Sequence, residues 1–266
     1  MDKKLFFQEH WITIEQERLA RYEDMFVFSA HQEPLIASLK LKKGLTVADY
    51  GCGPGFMAME IARRVGPTGK VYGLDINHQF LERAAQRGRD AVITHLQYLH
   101  LDGASLAAHS LDRLFCKNVL EYVPDLQQTL TEQFSLLRPG GLIEIIDSDW
   151  GFVIVEPWGE EITRKFFAAA APAFKEPHIG RKLYAALRQT GYEKINVQVT
   201  ATVDTSGSGL GVIKNMASYI RKFDALPGQQ RRQMLAELEQ AITDKTYCFV
   251  LPQFAITAIK PERMTQ

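Results

Sequence analysis

The stretch VADYGCGPGF, residues 47–56, decides the reading of this chain. It opens inside a short apolar strand, LTVADYG, and runs into Gly51, Gly53 and Gly55, three glycines at every second position with Asp49 just ahead of them. Glycine has no Cβ, so such a loop can turn sharply and let a ligand approach its backbone. Met57, Ile61, Ala62 and Val65 then recur at helical spacing, so the loop opens a helix. The free N–H groups of a helix start favour an anionic part of a ligand. A dinucleotide loop reads G-x-G-x-x-G. Here the spacing is D-x-G-x-G-x-G, and Phe56 stands where the last glycine of that pattern would fall.

Outward from the loop, strands and helices alternate. KVYGLDI reads as a second strand, followed by Phe80, Leu81, Ala84 and Ala85 on one helical face. HLQYLHL is a third strand ending at Asp102, and DRLFCKNVL a fourth. Leu126, Leu130, Phe134 and Leu137 form the next apolar stripe, stopped by RPGG, and LIEIID is a fifth strand. This alternation predicts a parallel sheet covered on both faces, with its ligand beyond the carboxyl ends of the strands. Later, residues 160–190 and 210–245 read as helical, and GYEKINVQVTATVD and YCFVLPQFAITAIKP as β segments. Those two segments predict an antiparallel hairpin finishing the sheet edge, with Pro252 at an edge position or a bulge. The expectation is one α/β domain with additions rather than two cores.

Composition narrows the function classes. The 266 residues are 46% hydrophobic, enough for a sizeable core. Lys plus Arg and Asp plus Glu each total 31, so the formal charge is zero and no basic excess points to nucleic acid as partner. Cys52, Cys116 and Cys248 are far apart and lack zinc-type spacing; they read as reduced thiols. The charged N-terminus does not read as a signal peptide, and no stretch approaches the roughly 18 apolar residues of a membrane span. A soluble, cytoplasmic protein is expected.

The strand ends carry the functional signal. Asp75, closing the second strand, can accept hydrogen bonds from both hydroxyls of a ribose and repels a 2′-phosphate. Asp102, closing the third, is suitably placed for an adenine amino group, and Asn118 closes the fourth. Four successive strand ends thus present glycine or polar residues to one crevice.

The run from VADYGCGPG through GLDIN, LDGASL, NVLEYVPD and LLRPGGLIEIID resembles the class I S-adenosylmethionine-dependent methyltransferases, in particular the small-molecule branch related to the ubiquinone and menaquinone biosynthesis enzymes. The resemblance spans roughly residues 44–150 and includes the closing hairpin with its IKP ending. It implies a Rossmann-like α/β fold with a seven-stranded, mostly parallel sheet, its last strand antiparallel and helices on both faces. It also implies S-adenosylmethionine as cofactor, cradled by Asp49, Gly51, Cys52, Gly53 and Gly55. The ribose would rest on Asp75 beside Ile76, and the adenine would lie near Asp102 and Gly103. Backbone around Lys117 and Asn118 would meet the methionine amino group. Many relatives carry a histidine where this chain has Glu121 or Tyr122.

The sulfonium of that cofactor is already activated, so the protein's tasks are alignment, exclusion of water and placement. A base is needed only where the acceptor must lose a proton. The acceptor is expected to be a small aromatic or amphipathic metabolite, bound by parts of the chain outside the resemblance. Residues 1–43 read as a helical lid and 44–266 as the transferase core with a helical insertion near 205–245. Within the lid, Trp11, Tyr22 and Phe26 can face one way, Trp11 and Phe26 toward the acceptor and Tyr22 toward the cofactor. Trp150, in IDSDWGF, could stack on a planar substrate, and Met216 and Tyr219 of the insertion could wall the pocket. Asp149 and His178 are the candidate catalytic groups. No carboxylate or histidine cluster suggests a metal. A homodimer is one option for assembly. A nicotinamide-dependent oxidoreductase and a noncatalytic cofactor-binding homologue are the alternatives.

Overall fold

The computed structural model describes residues 6–28, 32–103 and 106–262. Ala104 and Ser105 of the LDGASL stretch lie outside the described residues, as do residues 1–5 and 29–31 of the expected lid. Five strands alternate with helices as the hydrophobic pattern predicts: β1 (Thr46–Tyr50), β2 (Lys70–Asp75), β3 (Leu96–His100), β4 (Leu111–Lys117) and β5 (Leu137–Ser148). Helices α1 (Phe6–Ile12), α2 (Gln16–Phe26) and α3 (Glu33–Ala37) precede them. Helices α4 (Phe56–Val65), α5 (His78–Asp90) and α6 (Leu126–Leu136) connect β1 to β2, β2 to β3 and β4 to β5. After β5 come β6 (Ile154–Glu156), α7 (Gly159–Ala170), α8 (Ile179–Thr190), β7 (Glu193–Thr200), β8 (Val203–Asp204), α9 (Leu210–Phe223), α10 (Gly228–Thr243), β9 (Cys248–Val250) and β10 (Gln253–Ile259).

The main sheet has seven strands in the order β3-β2-β1-β4-β5-β10-β7. Neighbours from β3 to β5 pair in parallel, whereas β10 is antiparallel to both β5 and β7. The chain lays β1, β2 and β3 in one direction, then returns to place β4 on the other side of β1. That reversal is a switch point, and it opens a crevice beyond the tips of β1 and β4. The central strands are apolar because helices cover both faces. Ile61, Ala62 and Val65 of α4 bury one stripe against Val47, Val71 and Ile146, each large side chain contributing about 1.5–3 kcal/mol of burial.

The late β segments divide where the sequence reads as continuous. YCFVLPQFAITAIKP splits around Pro252: β9 joins a second, three-stranded sheet in the order β6-β9-β8, while β10 enters the main sheet. Pro252 therefore marks the change of sheet, and the strand after it is internal; the edge belongs to β7. A proline offers no N–H to a ladder, which suits a residue between two sheets. GYEKINVQVTATVD divides likewise into β7 and β8. The small sheet, α1, α7, α9 and α10 bury a cluster of their own around Phe166, Met216, Ile220, Leu238 and Phe249.

Candidate functional site

The glycine loop folds as it does because its backbone needs left-handed angles. Gly51 and Gly55 have φ of +76° and +83°, a region that L side chains rarely adopt. A Cβ on Gly51 would also lie 2.2 Å from a methyl of Val119. The N–H groups of Gly51 and Cys52 both donate to the Leu74 carbonyl, at 2.7 and 2.9 Å, which ties the loop to the end of β2. Around Gly53 a Cβ would meet no heavy atom within 4 Å: there the loop backbone is bare toward the crevice.

Asp75 sits at the end of β2 and locks the floor. Its Oδ2 accepts from Gly53 N–H at 2.7 Å and its Oδ1 from Asn77 N–H at 2.9 Å. Burial raises its pKa against these hydrogen bonds. On the neighbouring β1, Asp49 is 3% exposed and its Oδ2 has no hydrogen-bond partner. Burial, then the charge of Asp75, pushes its pKa up to about 7. Lys117 ends β4 beside them, and burial lowers its pKa against the pull of Asp147, Glu121 and Asp49. Asn118 follows in a left-handed conformation, φ +54°, with its buried Oδ1 unpartnered. Two orphaned oxygens at the tips of adjacent strands mark where a ligand donor belongs.

These groups line a cavity of about 410 Å³. Of the residues predicted to hold a cofactor, Asp49, Gly51, Cys52, Gly53, Asp75, Ile76, Asp102, Lys117 and Asn118 share its wall. Gly55 and Gly103 are not in the wall itself. Gly55 sits behind the loop, its carbonyl accepting from the Tyr98 hydroxyl at 3.1 Å, and Gly103 follows Asp102. Tyr22 stands behind Trp11, stacked on it at 5.1 Å between ring centroids.

The opposite wall is apolar and comes from the N-terminal helices and the segment after β4. Trp11 and Phe26 line the cavity, as does Phe7. Tyr122 packs edge-on against Trp11 at 5.0 Å and also lines it. Neither Phe7 nor Tyr122 was assigned a pocket role from sequence. The available signal was an aromatic residue placed directly after a strand end in NVLEYVPD, and for Phe7 only its place in an aromatic-rich segment. Asn77 holds this wall to the floor: its side-chain oxygen caps α5 by accepting from Phe80 N–H, and its side-chain N–H donates to the Trp11 carbonyl, both at 2.9 Å.

Four further sequence candidates lie elsewhere, and Tyr219 with them. Asp149 is fully buried and turned away from the cavity. It accepts from Arg181 Nε and Nη2, from Gly151 N–H at 2.9 Å, and pairs with His178 Nδ1 at 3.0 Å. Burial pushes its pKa up, but the Arg181 hydrogen bonds, with those of Gly151 and His178, outweigh this and hold it below the usual carboxylate range. Asp149 and His178 thus tie the exit of β5 to the start of α8. The chain turns there because Trp150 N–H donates to the Pro177 carbonyl. Trp150 points its ring at Phe167 and Phe174, and its Nε1–H donates to Glu121 at 2.7 Å. Met216 and Tyr219 are buried in the cluster under the small sheet. Tyr219 meets the N-terminal helices rather than the cavity: its hydroxyl lies 2.8 Å from that of Tyr22 and 3.4 Å from His10 Nε2, and its ring packs edge-on against Phe6.

Behind Lys117 lies a pair of buried carboxyl groups that the sequence did not reveal. Glu121 and Asp147 are 2% and 1% exposed. Burial and mutual repulsion push Glu121 up, and burial raises Asp147 against the N–H groups of Ser148 and Leu120.

A family model described as a methyltransferase domain matches residues 41–192. A demethylmenaquinone methyltransferase of Listeria welshimeri serovar 6b is 27% identical over 138 residues, covering 51% of this chain and 57% of that protein. An uncharacterized 37.1 kDa protein in transposon TN4556 of Streptomyces fradiae is 27% identical over 137 residues, covering 52% of this chain and 40% of that protein. The chain thus matches about half the length of these curated relatives. Among solved structures, the YcgJ protein from Bacillus subtilis has a TM-score of 0.62 at 16% identity, covering 88% of this chain and all of that one. The phosphoethanolamine N-methyltransferase 2 of Haemonchus contortus, solved with S-adenosyl-L-methionine, has a TM-score of 0.65 at 18% identity, covering 96% of this chain and 60% of that one. At these identities the structural likeness establishes the fold.

Proposed function

The chain belongs to the methyltransferase domain family, and on that footing we propose that it is an enzyme transferring a methyl group from S-adenosylmethionine to a small acceptor. The observation that carries this reading is the set of strand tips at the switch point. Asp49 and Asn118 present unpartnered oxygens, Gly53 presents bare backbone, and Asp75 and Asp102 present carboxylates to one crevice. Acceptor oxygens suit the ammonium and hydroxyl groups of a cationic nucleoside. Carboxylates on this floor disfavour a pyrophosphate, so the nicotinamide reading gains no support. When bound, the cofactor supplies a methyl group on a sulfonium, a leaving group that needs no acid from the protein.

The chain's residues then orient and exclude. Asp75 is held rigid by two backbone N–H groups, so its remaining lone pairs are aimed before a ribose arrives. Asp49 binds an ammonium best when ionised, and such a ligand draws its proton off. Phe7, Trp11, Phe26 and Tyr122 shield the reacting region from water. Their flat faces favour an aromatic or amphipathic acceptor. The demethylmenaquinone methyltransferase relatives point the same way by their printed names. Residues 1–43 act as the lid and 44–266 as the core with its insertion. Neutral overall charge supports a small-molecule partner over nucleic acid. Among the described residues no helix is long and apolar enough to cross a membrane, and three free cysteines suit the cytoplasm. Asp149 and His178, paired with each other outside the cavity, have no catalytic part in this account.

Incubation with methyl-labelled S-adenosylmethionine and a small-metabolite extract tests the proposal. Label is expected in one extractable product. Cofactor binding with no transfer to any fraction would instead support a noncatalytic homologue.

A further inference from the structure

β7 ends the main sheet and, among the described residues, pairs with β10 alone. One row of its backbone N–H and C=O groups therefore has no strand beside it, a template for a further strand. Sheet edges are normally blunted by charges, prolines or bulges. β7 carries such guards only at its start: Glu193 and Lys194 are charged, Lys194 stands at φ +50°, and the register with β10 shifts between Thr257 and Ile259. From Ile195 to Thr200 the strand reads INVQVT, with neither charge nor proline. Val197 pairs with Ile256 and Val199 with Phe254; with Ile195 they share one face, and Asn196, Gln198 and Thr200 share the other. Val197 and Val199 are exposed large apolar side chains, as are two neighbours of the strand. Phe152 lies 6.2 Å, between ring centroids, from Phe254, and Tyr184 belongs to α8, which packs on β7. Arg181 covers the Phe152 ring with its charge already taken by Asp149. The opposite edge, β3, has five residues and no exposed large apolar side chain.

A strand added to this edge must offer apolar side chains on the α8 face and neutral polar ones on the other. β7 itself does so when turned about a twofold axis through Val197. Val197 then faces its own copy, Ile195 faces Val199 of the second copy, and Asn196 faces Gln198. Lys194 faces Thr200, so no like charges oppose each other across the pair. An axis at Asn196 would set Glu193 against Val199, and a slip of one residue would turn the apolar row onto the polar face. A row without charge offers a foreign strand little to be selected by, whereas it matches itself residue for residue. We propose that β7 is a dimerisation edge, on which a second copy of this chain pairs antiparallel about an axis at Val197 and joins the two main sheets into one. The pairing is isologous, so it closes at two copies and leaves no free β7 edge for growth. It is independent of what the crevice binds.

Sedimentation equilibrium of the full chain tests the edge, at about 100 μM protein so that micromolar association is seen. Wild type is expected at twice the chain mass of 30.1 kDa. Val197 is 39% exposed, so a charged side chain fits there in the single chain. Val197→Lys and Val197→Glu each place two like charges face to face on the axis and should sediment at 30.1 kDa. An equimolar mixture of the two variants should regain the doubled mass, because opposite charges now meet on the axis. That recovery would also show that both variants are folded. A wild type at the single-chain mass leaves the edge to a foreign strand or to solvent and overturns the proposal. Variants that stay dimeric put the contact elsewhere on the molecule, and a mixture that stays monomeric removes the axis from Val197; either result overturns it as well.

Discussion

Asp49 is 3% exposed, and burial lifts its pKa to about 7. In the unfolded chain an aspartate titrates near ~3.9. Below about pH 4 both states hold the proton. Between about pH 4 and 7 the unfolded state gives it up first, so this residue's contribution to stability is lost as pH rises through that window. Asp49→Asn removes the dependence. Its stability relative to wild type, measured by denaturant unfolding, should improve from pH 4 to 7 by an amount on the order of 1–4 kcal/mol. A constant difference across pH would contradict the assignment. Ligand binding has the opposite sense. An ammonium at Asp49 requires the ionised form, so affinity for S-adenosylhomocysteine should climb as pH rises toward 7 and then level off, a slope that Asp49→Asn abolishes. Gly51→Ala tests the loop: with φ at +76° and Val119 in the way, it should cost about 1–3 kcal/mol and most of the cofactor affinity. An unchanged melting temperature would show that the loop does not need its glycine. Residues fixed by strand-end position, such as Asp49, Asp75 and Asn118, were legible in the sequence. Asp149 was not. It also follows a strand end, but a turn held by Pro177 and a salt bridge to Arg181 swing it away from the crevice, and no spacing in the sequence encodes that partner.

The N-terminal helices form an apolar wall held by polar clasps. His10 Nε2 and the Tyr22 hydroxyl are 3.0 Å apart, and the Tyr22 and Tyr219 hydroxyls 2.8 Å, linking α1, α2 and α9. Glu23 of α2 pairs with Arg83 and Arg87 of α5. Tyr22→Phe leaves His10 and Tyr219 each short of a partner, at about 1–2 kcal/mol. Hydrogen-exchange protection should fall in α1 and α2 and stay unchanged in β1 to β5. A uniform loss would mean that these helices do not open as a unit. Burial, then the charge of Arg18, holds the His10 pKa down at about 3. The unfolded chain takes up that proton near pH ~6.5, so the clasp is at full strength above this value and weakens as pH falls toward 3. Local opening of α1 and α2 should therefore become easier between pH 7 and 5, an effect that His10→Gln removes. Helices with a clear apolar stripe, such as α4 and α5, were legible. The splits between β7 and β8 and between β9 and β10 were not, because strand alternation continues on both sides of a break and does not record which sheet a residue joins.

At the scale of the whole molecule, the reversal of strand order at β1 and β4 creates the crevice, and the N-terminal helices with the segment after β4 supply its apolar wall. The parallel run of the first five strands and the antiparallel closing hairpin followed from the hydrophobic pattern, and a resemblance added the count of seven strands; their order in the sheet emerges only in the fold. Of the apolar wall, Trp11 and Phe26 were legible in the aromatic-rich N-terminal segment, whereas Tyr122 was not, since it comes from the segment after β4 and meets Trp11 only in the fold. Ligand at one hundred times its dissociation constant should stabilise the fold by about 2.7 kcal/mol, visible as a rise in melting temperature. The central claim is that a sulfonium nucleoside lies across the strand tips with its ribose on Asp75. Its most direct test is calorimetric titration of S-adenosylhomocysteine, with NAD as competitor, into wild type and Asp75→Ala. The account predicts saturable binding to wild type, no displacement by NAD, and a loss of about tenfold or more in Asp75→Ala. Displacement by NAD, or equal affinity in the two proteins, would contradict it.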